Sequence, residues 1–190
     1  EIGFYNTEGY TEGVYVTGSY AYVADGRSGL RVIDISDGEN PDEVGFYDTP
    51  DSAHDVIVIN NYAFVTDNHS LQVIDVSDPE NPNGVGSYEA PDGNSKRVVV
   101  KDDFAYVTDG PGGLRIVDIS DPENPEEAGY NDIVDQARGV AILDGFAFVT
   151  DGEAGVRVIE VSDPENANII AFHNTPGSAS DVTIVGEYAY

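Results

Sequence analysis

The stretch that decides the fold is LRVIDISDGENP, residues 30–41, because it recurs three more times along the chain. The copies are LQVIDVSDPENP at 71–82, LRIVDISDPENP at 114–125 and VRVIEVSDPENA at 156–167. The repeat units begin at Gly13, Asp55, Arg97, Gly139 and Asp181, each 42 residues after the one before, and the first four carry these copies. A fixed period of about 40–50 residues is typical of a β-propeller or a related array.

Four short strands are predicted within each unit. In the first unit they are Val14-Tyr15-Val16, Tyr20-Ala21-Tyr22-Val23, Leu30-Arg31-Val32-Ile33-Asp34 and Val44-Gly45-Phe46-Tyr47, which we call strands a, b, c and d. They are rich in β-branched and aromatic residues and are bounded by Gly, Pro, Asn and Asp, as strands are. Strands a and b are apolar almost throughout, which indicates that both of their faces are covered.

We therefore predict an all-β fold, a β-propeller of four-stranded antiparallel blades, in a single domain over 1–190 or a fragment of one. The complete blades are expected at 13–54, 55–96, 97–138 and 139–180. Residues 1–12 and 181–190 are expected to supply a partial blade, because Glu1-Ile2-Gly3-Phe4-Tyr5 repeats the pattern of strand d and 181–190 that of strands a and b. Glu1 is not an initiator methionine and Tyr190 falls within a strand pattern, so we expect these ends to bound a fragment.

The third strand resembles a known family. Leu30-Arg31-Val32-Ile33-Asp34 and its copies are similar to the LVIVD repeat, as are the Ser-Asp-Pro-x-Asn-Pro turn after them and the Tyr-Ala-Tyr-Val strand before them. The fourth copy departs from the pattern at Glu160 and Ala167. The resemblance implies a propeller in a bacterial or archaeal cell-surface protein, and it brings no catalytic residues with it.

The excess of acidic over basic residues argues against some classes of function. The chain has 36 acidic residues against 8 basic ones, a formal net charge of −28, and no cysteine. That charge excludes binding to nucleic acid and to anionic membrane surfaces, both of which require a basic face. No stretch approaches the roughly 20 apolar residues of a membrane span, so no direct insertion is expected in this segment. A hydrated acidic surface favours a halophilic archaeon as the source, and the alternative is an acidic secreted protein that binds divalent cations.

Positions that differ between blades are not required by the fold, and they point to a binding site. The residue before strand a is in turn Glu12, His54, Lys96, Arg138 and Ser180, with Arg97 next to Lys96. We predict that His54, Lys96, Arg97 and Arg138 gather near the mouth of the central channel and bind a ligand, for which an anion or a carboxylate is the best fit. The alternative is that these residues only relieve charge among crowded aspartates.

An aspartate follows strand b in every complete blade and forms a second candidate set. Calcium prefers several carboxylate oxygens, and it is the only cofactor that this set suggests. The alternative is ordinary Asp-Gly turn chemistry. The set is Asp25, Asp67, Asp109 and Asp151.

Two further motifs have simple interpretations. Asn68-His69-Ser70 is an N-glycosylation sequon, with Asn68 as the acceptor if the protein is secreted. His54 and His69 fall on the same face of the second blade, but a zinc site needs three or four ligands, so we interpret them as two unrelated surface histidines.

The predicted function is that of an extracellular or cell-surface scaffold or recognition module, without enzymatic activity, for proteins or surface glycans. The pattern contains no nucleophile elbow or phosphate loop, so no catalytic residue is predicted. One alternative is a structural subunit of a surface layer or filament, a homo-oligomer or larger assembly whose acidic faces are bridged by cations. A hydrolase or lyase with its site at the channel mouth is the other.

Overall fold

The computed structural model describes residues 2–133 and 135–190, and these residues form an all-β protein. No α-helix occurs among them, and the only helical turn is a 3₁₀ turn at Pro164–Asn166. The strands are β1 Gly13–Thr17, β2 Tyr20–Ala24, β3 Leu30–Asp34, β4 Asp42–Tyr47, β5 Ala53–Ile59, β6 Tyr62–Asp67, β7 Ser70–Asp75, β8 Asn83–Glu89, β9 Arg97–Lys101, β10 Phe104–Thr108, β11 Leu114–Asp118, β12 Glu126–Asn131, β13 Ala137–Leu143, β14 Phe146–Asp151, β15 Val156–Glu160, β16 Asn168–His173, β17 Ile184–Val185 and β18 Tyr188–Ala189.

Each predicted unit folds into one antiparallel four-stranded sheet. The strand order is that of the sequence, β1-β2-β3-β4 in the first sheet, and it is the same in the next three. Every pairing of strand c with strand d carries one register shift, as between Val32 and Ile33 in the first sheet. The predicted strands and four-stranded sheets are therefore confirmed.

The turns between strands a and b are tight because their residues tolerate positive φ. In the second sheet Asn60 and Asn61 have φ of 51° and 67°. Two successive residues in the left-handed region are typical of the type I′ hairpin, and asparagine accepts that conformation more readily than most residues.

The hydrophobic core lies between successive sheets. Strand a of each sheet packs on strand a of the next, from β1 through β5, β9 and β13 to β17. In the first interface Leu30 and Val32 of one sheet are buried with Val56 and Val58 of the next. Strands covered on both faces explain the near-continuous apolar runs of the sequence. The arrangement is propeller-like, with the first strand of each sheet next to its counterparts.

Backbone contacts join each sheet to the next on one face. The loop after strand b pairs with the residues at the start of the following sheet, as in the bridges Gly26↔Ala53, Gly110↔Ala137 and Gly152↔Ala179. The second sheet has a shorter two-residue turn, and there Ser95 N donates to Asn68 O at 2.9 Å. These hydrogen bonds fix the loops of neighbouring sheets in one relative position.

On the opposite face, a glycine of strand d lies against the turn between strands c and d of the next sheet. A Cβ at Gly45 would overlap the carbonyl oxygen of Pro79, and one at Gly86 that of Pro122. Only glycine allows the strand to approach the turn this closely.

The two terminal segments differ from the complete sheets. The hairpin β17–β18 lies in residues 181–190, where the sequence predicts strands a and b. Residues 2–12 contain no strand, so the expectation of a strand d there is wrong as secondary structure. Among the described residues no strand c lies beside them, and a strand needs a partner to hydrogen-bond its backbone. Over the described ranges, no helix has the length and apolarity to cross a membrane.

Candidate functional site

The five positions that the sequence predicts just before strand a meet at one depression of about 370 Å³, although His54 and Arg138 lie within β5 and β13. It is lined by Glu12, His54, Lys96, Arg138 and Ser180, together with Asn94, Arg97 and Gln136. The first five are counterparts spaced by one repeat, so the depression lies where the five repeats converge. The structure thus brings the predicted residues His54, Lys96, Arg97 and Arg138 to the same place, which we call the axial depression.

His54 is held by a polar network on one side of the axial depression. Its Nδ1 lies 2.7 Å from Glu12 Oε2, so the ring donates a proton to this carboxylate. The other nitrogen, Nε2, lies 2.7 Å from Asn68 Oδ1, which can only accept, and 2.9 Å from Lys96 Nζ, which can only donate, so one proton position on His54 does not satisfy both contacts. Asn68 Oδ1 also lies 3.4 Å from Lys96 Nζ and accepts from the ammonium. Glu12 and Asn68 therefore orient the ring of His54, and Lys96 lies against this network.

The interpretation of His54 and His69 as unrelated surface histidines is wrong. His54 is buried, at 8% exposure, because the neighbouring repeats close around the axial depression. His69 is exposed and its Nδ1 lies 2.7 Å from Asp51 Oδ2. Asp51 also accepts a hydrogen bond from Asn68, so both histidines belong to one hydrogen-bonded chain.

Lys96 and Arg138 have no carboxylate within ion-pair distance among the residues that the structure describes. Lys96 contacts His54 and Asn68, and Arg138 Nη1 donates to Ser178 Oγ at 3.3 Å. Burial lowers the pKa of Lys96 below its ordinary value, against the opposing effect of Glu12 and Asp51. Neither cation thus forms a direct ion pair among the described residues, although the charges of Glu12 and Asp51 act on Lys96.

Arg97 differs from the other two because carboxylates brace it. Its guanidinium lies 3.5 Å from Asp55 Oδ1 and 3.7 Å from Asp181 Oδ2, which are its own counterparts in other repeats. Burial raises the pKa of Asp55, although the backbone N–H of Val98 and the charge of Arg97 act in the opposite direction. Arg97 thus links three repeats beside the axial depression.

Glycine occupies the same position in the two remaining repeats. A Cβ at Gly13 would lie 2.8 Å from the Cα of Asp55, and one at Gly139 2.6 Å from the Cα of Asp181. The first strands therefore approach too closely for a side chain at these two positions.

The four aspartates after strand b lie in four separate sheets, and each braces a loop. All are buried, and each accepts a backbone N–H from the loop that enters its own sheet. The donors are Gly9 to Asp25 at 2.7 Å, Asp51 to Asp67 at 3.3 Å, Asn94 to Asp109 at 2.9 Å and Asp135 to Asp151 at 2.8 Å. Over residues 2–133 and 135–190, no group of three or more His, Asp or Glu side chains has the geometry to hold a metal ion.

The arginines of strand c form a repeated contact on the sheets that the sequence pattern only partly indicated. Arg31, Arg115 and Arg157 each pair with acids, as in the 2.9 Å contact from Arg157 Nε to Asp151 Oδ2. Each guanidinium also lies over an aromatic ring directly across on strand d, at 4.8 Å for Phe46, 5.0 Å for Tyr130 and 5.1 Å for Phe172.

The second sheet replaces both members of this pair. Gln72 stands in place of the arginine and Ser87 in place of the ring. Because the two residues change together, the sequence held this signal of a cation–π pair.

Asn68, the predicted glycosylation site, contributes to the His54 network. Its Nδ2, the atom that would carry a glycan, donates to Asp51 Oδ1 at 3.1 Å. Attachment of a glycan would have to compete with this hydrogen bond.

Comparisons with known proteins agree on the repeat. The sequence profile of the LVIVD repeat matches residues 8–49, 50–90, 92–132, 135–175 and 176–190. No curated protein matches the chain significantly. Among solved structures 368 chains match it. One is the crystal structure of the computationally designed Ika8 protein, with 8% identity, a TM-score of 0.77, and coverage of 94% of this chain and 54% of that chain. The chain thus spans about half the length of the designed protein, and at this identity the likeness concerns the fold alone.

Proposed function

Because the chain belongs to the LVIVD-repeat family, we propose that its sheets are blades of a β-propeller that serves as a recognition module. The module binds an anionic group of a protein or a surface glycan in the axial depression. It acts at the cell surface or outside the cell, without catalysing a reaction and without a required cofactor. The propeller has at least four blades, one for each complete sheet described above.

The observation that carries this proposal is the pair of uncompensated cations, Lys96 and Arg138. Five of the eight basic residues form ion pairs among the described residues, and the three that do not are Arg27, Lys96 and Arg138. Lys96 and Arg138 line the axial depression, and neither makes an ion pair among the described residues. A cation without a direct ion pair is available to an anion from outside.

The chemistry of the axial depression favours a carboxylate. Arg138 offers a planar fork that suits bidentate binding, and Lys96 offers a point charge that also donates to Asn68. Asn94, Gln136 and Ser180 add neutral polar groups around them. A depression of about 370 Å³ accommodates a sugar acid or the side chain of an acidic residue.

The test compares a glucuronate-containing oligosaccharide with its carboxyl-methyl ester at constant ionic strength. The wild-type protein should bind the free acid more tightly than the neutral ester. In the double variant Lys96→Gln, Arg138→Gln this preference should fall by about 10-fold or more, because each charge-assisted hydrogen bond contributes about 1.5–3 kcal/mol. Arg97 is left unchanged, since its loss would also remove the contacts to Asp55 and Asp181.

The matched control is Lys101→Gln. Lys101 is exposed and pairs with Asp102 at 3.7 Å, outside the axial depression, so this variant should bind as the wild type does. Equal affinity for acid and ester, or a double variant that retains the preference with an unchanged melting temperature, would disprove the site.

A second candidate function, a structural subunit bridged by cations, is favoured by an acidic groove between the third and fourth sheets. The groove has a volume of about 570 Å³. Its lining includes Asp118, Asp121, Glu126, Glu127, Asp163 and Glu165. Because no metal site is complete among the described residues, a second copy would have to supply the remaining ligands. Assembly that disappears on addition of a chelator would support this function, and a monomer indifferent to chelator would count against it.

A further inference from the structure

Residues 2–5 occupy the position of a strand d although they are not in a sheet. Gly3 lies against the carbonyl oxygen of Gly38, in the turn of the first sheet. Gly45 contacts the oxygen of Pro79 in the second sheet in the same way. The segment therefore lies on the first sheet as β4 lies on the second.

Tyr5 also makes the contact with the next sheet that a tyrosine of a regular strand d makes. Tyr5 Oη donates to Glu43 Oε2 at 3.4 Å, and Tyr88 at the end of a regular strand d donates to Glu127 of the next sheet. Both the glycine and the tyrosine of the segment thus make the contacts of a strand d with the following sheet.

The other edge of this segment is not paired with a strand among the described residues. Backbone groups of residues 2–5 make no hydrogen bond to another backbone group there. In the complete sheets the equivalent residues pair with strand c, as Phe46 does with Arg31. An extended segment with free N–H and C=O groups is an edge that can accept a strand.

Phe4 shows which kind of strand would fit. Its counterparts are Phe46, Tyr130 and Phe172, and each of these rings lies under an arginine of strand c. Phe4 is 69% exposed and has no arginine over it among the residues described. The ring is in place for a cation–π contact whose cation is missing.

The first sheet also exposes apolar side chains that are buried in the second sheet. Val14 and Val16 are 60% and 56% exposed, whereas their counterparts Val56 and Val58 are buried under the preceding sheet. In the second sheet of this chain, the face that carries Val56 and Val58 is covered by the preceding sheet.

We propose that residues 2–5 are the acceptor edge for strand c of a further LVIVD repeat, whose arginine lies over Phe4. The occupant is a strand of the pattern Leu-Arg-Val-Ile-Asp, with its own sheet covering Val14 and Val16. A folded second copy cannot provide this strand, because each of its strands c, such as β3, is already paired on both edges.

The experiment supplies such a strand in the same chain. Residues 113–126 are fused ahead of Glu1, so that the copy of Arg115 falls opposite Phe4 as Arg115 falls opposite Tyr130. Hydrogen exchange is then followed at the amides of residues 3–5. The fusion should protect these amides by at least about 10-fold relative to the unfused chain and to a fusion of scrambled sequence.

The second sheet provides the matched control for specificity. In the fusion with Phe4 unchanged, replacing the grafted arginine by Gln should reduce the hydrogen-exchange protection of the amides of residues 3–5. With Phe4→Ser, which copies the natural pair Gln72 and Ser87, the same change should have no effect. Absence of protection in the fusion, or protection indifferent to both changes, would overturn the proposal. Concentration-dependent dimers of the unfused chain with protected residues 3–5 would overturn it too, since they would make a second copy the occupant.

Discussion

At the scale of single residues, the repeat separates side chains that serve the fold from those that are free to do something else. A buried aspartate after strand b occurs in all four complete sheets and braces a loop each time, so its role is structural. The position before strand a carries a different residue in every repeat, and the fold brings these residues together at the axial depression. Lys96 is the most constrained of them, because His54 and Asn68 hold its ammonium.

The pKa of Lys96 gives the proposed site a pH dependence. Burial lowers this pKa below the ordinary 10.5, so Lys96 loses its proton at a lower pH than an exposed lysine does. Affinity for an anion should therefore fall as the pH rises through the lowered pKa, which lies below 10.5.

The measurement is the affinity for the glucuronate probe between pH 7 and roughly 10. Lys96→Arg should bind with little change across this range, because arginine keeps its charge. A wild-type profile as flat as that of Lys96→Arg would show that Lys96 does not contact the anion.

At the scale of secondary-structure elements, the sequence predicted the strands well because their signal is local. β-Branched residues, aromatic residues and Gly-Asp-Pro turns mark where a strand starts and stops without reference to other parts of the chain. Residues 2–5 show the limit of that signal. Their sequence is that of a strand d, but strand formation depends on a partner that the segment itself does not encode.

The candidate site was predictable only in part, because its contacts join residues of different repeats. The repeat indicated which residues vary, and hence that His54, Lys96, Arg97 and Arg138 converge. It did not indicate that Arg97 is braced by Asp55 and Asp181 while the other two cations lack acidic partners. That difference depends on distances between side chains of different repeats.

The turn after strand c offers a test of how far the repeats are equivalent. Gly38 stands where the other repeats have Pro79, Pro122 and Pro164, and the turn hydrogen bond Asn40 N to Asp37 O has its counterpart in Asn81 N to Asp78 O, both 3.0 Å. Gly38→Pro should therefore stabilise the protein by about 0.4–1 kcal/mol, since proline restricts the unfolded chain and fits the same turn.

Chemical denaturation measures this difference in the free energy of unfolding. Gly38→Ala is the control, because a Cβ at this position meets nothing within 4 Å and alanine restricts the unfolded chain less than proline does. A loss of stability in Gly38→Pro would mean that the first turn differs from the other three.

At the scale of the whole molecule, the charge distribution is the dominant feature. A formal net charge of −28 on 190 residues opposes the compact state through self-repulsion. Several of the basic residues are committed to local contacts, such as Arg31, Arg115 and Arg157 over their aromatic rings. We therefore expect the molecule to need dissolved ions that screen the remaining acids, which is the basis of the hypothesis of a halophilic origin.

Stability should accordingly rise with salt. The urea midpoint and the melting temperature are expected to increase as NaCl is raised from about 0.1 M, where the Debye length is about 10 Å, to about 1 M, where it is about 3 Å. Sucrose, which is not ionic, is the control for general solvent effects. A midpoint that does not change with NaCl, or a protein that stays fully stable on dialysis into water, would refute the halophilic hypothesis.

The joints between sheets have a consequence for how such proteins arise. Each joint consists of backbone hydrogen bonds on one face, as between Gly26 and Ala53, and of a glycine against a carbonyl oxygen on the other, as between Gly45 and Pro79. Neither contact depends on a side chain peculiar to one pair of repeats, unlike the contacts of Arg97 with Asp55 and Asp181. We therefore expect unequal recombination within the gene to preserve these backbone joints when it adds or deletes one unit, whereas contacts such as those of Arg97 have to form anew.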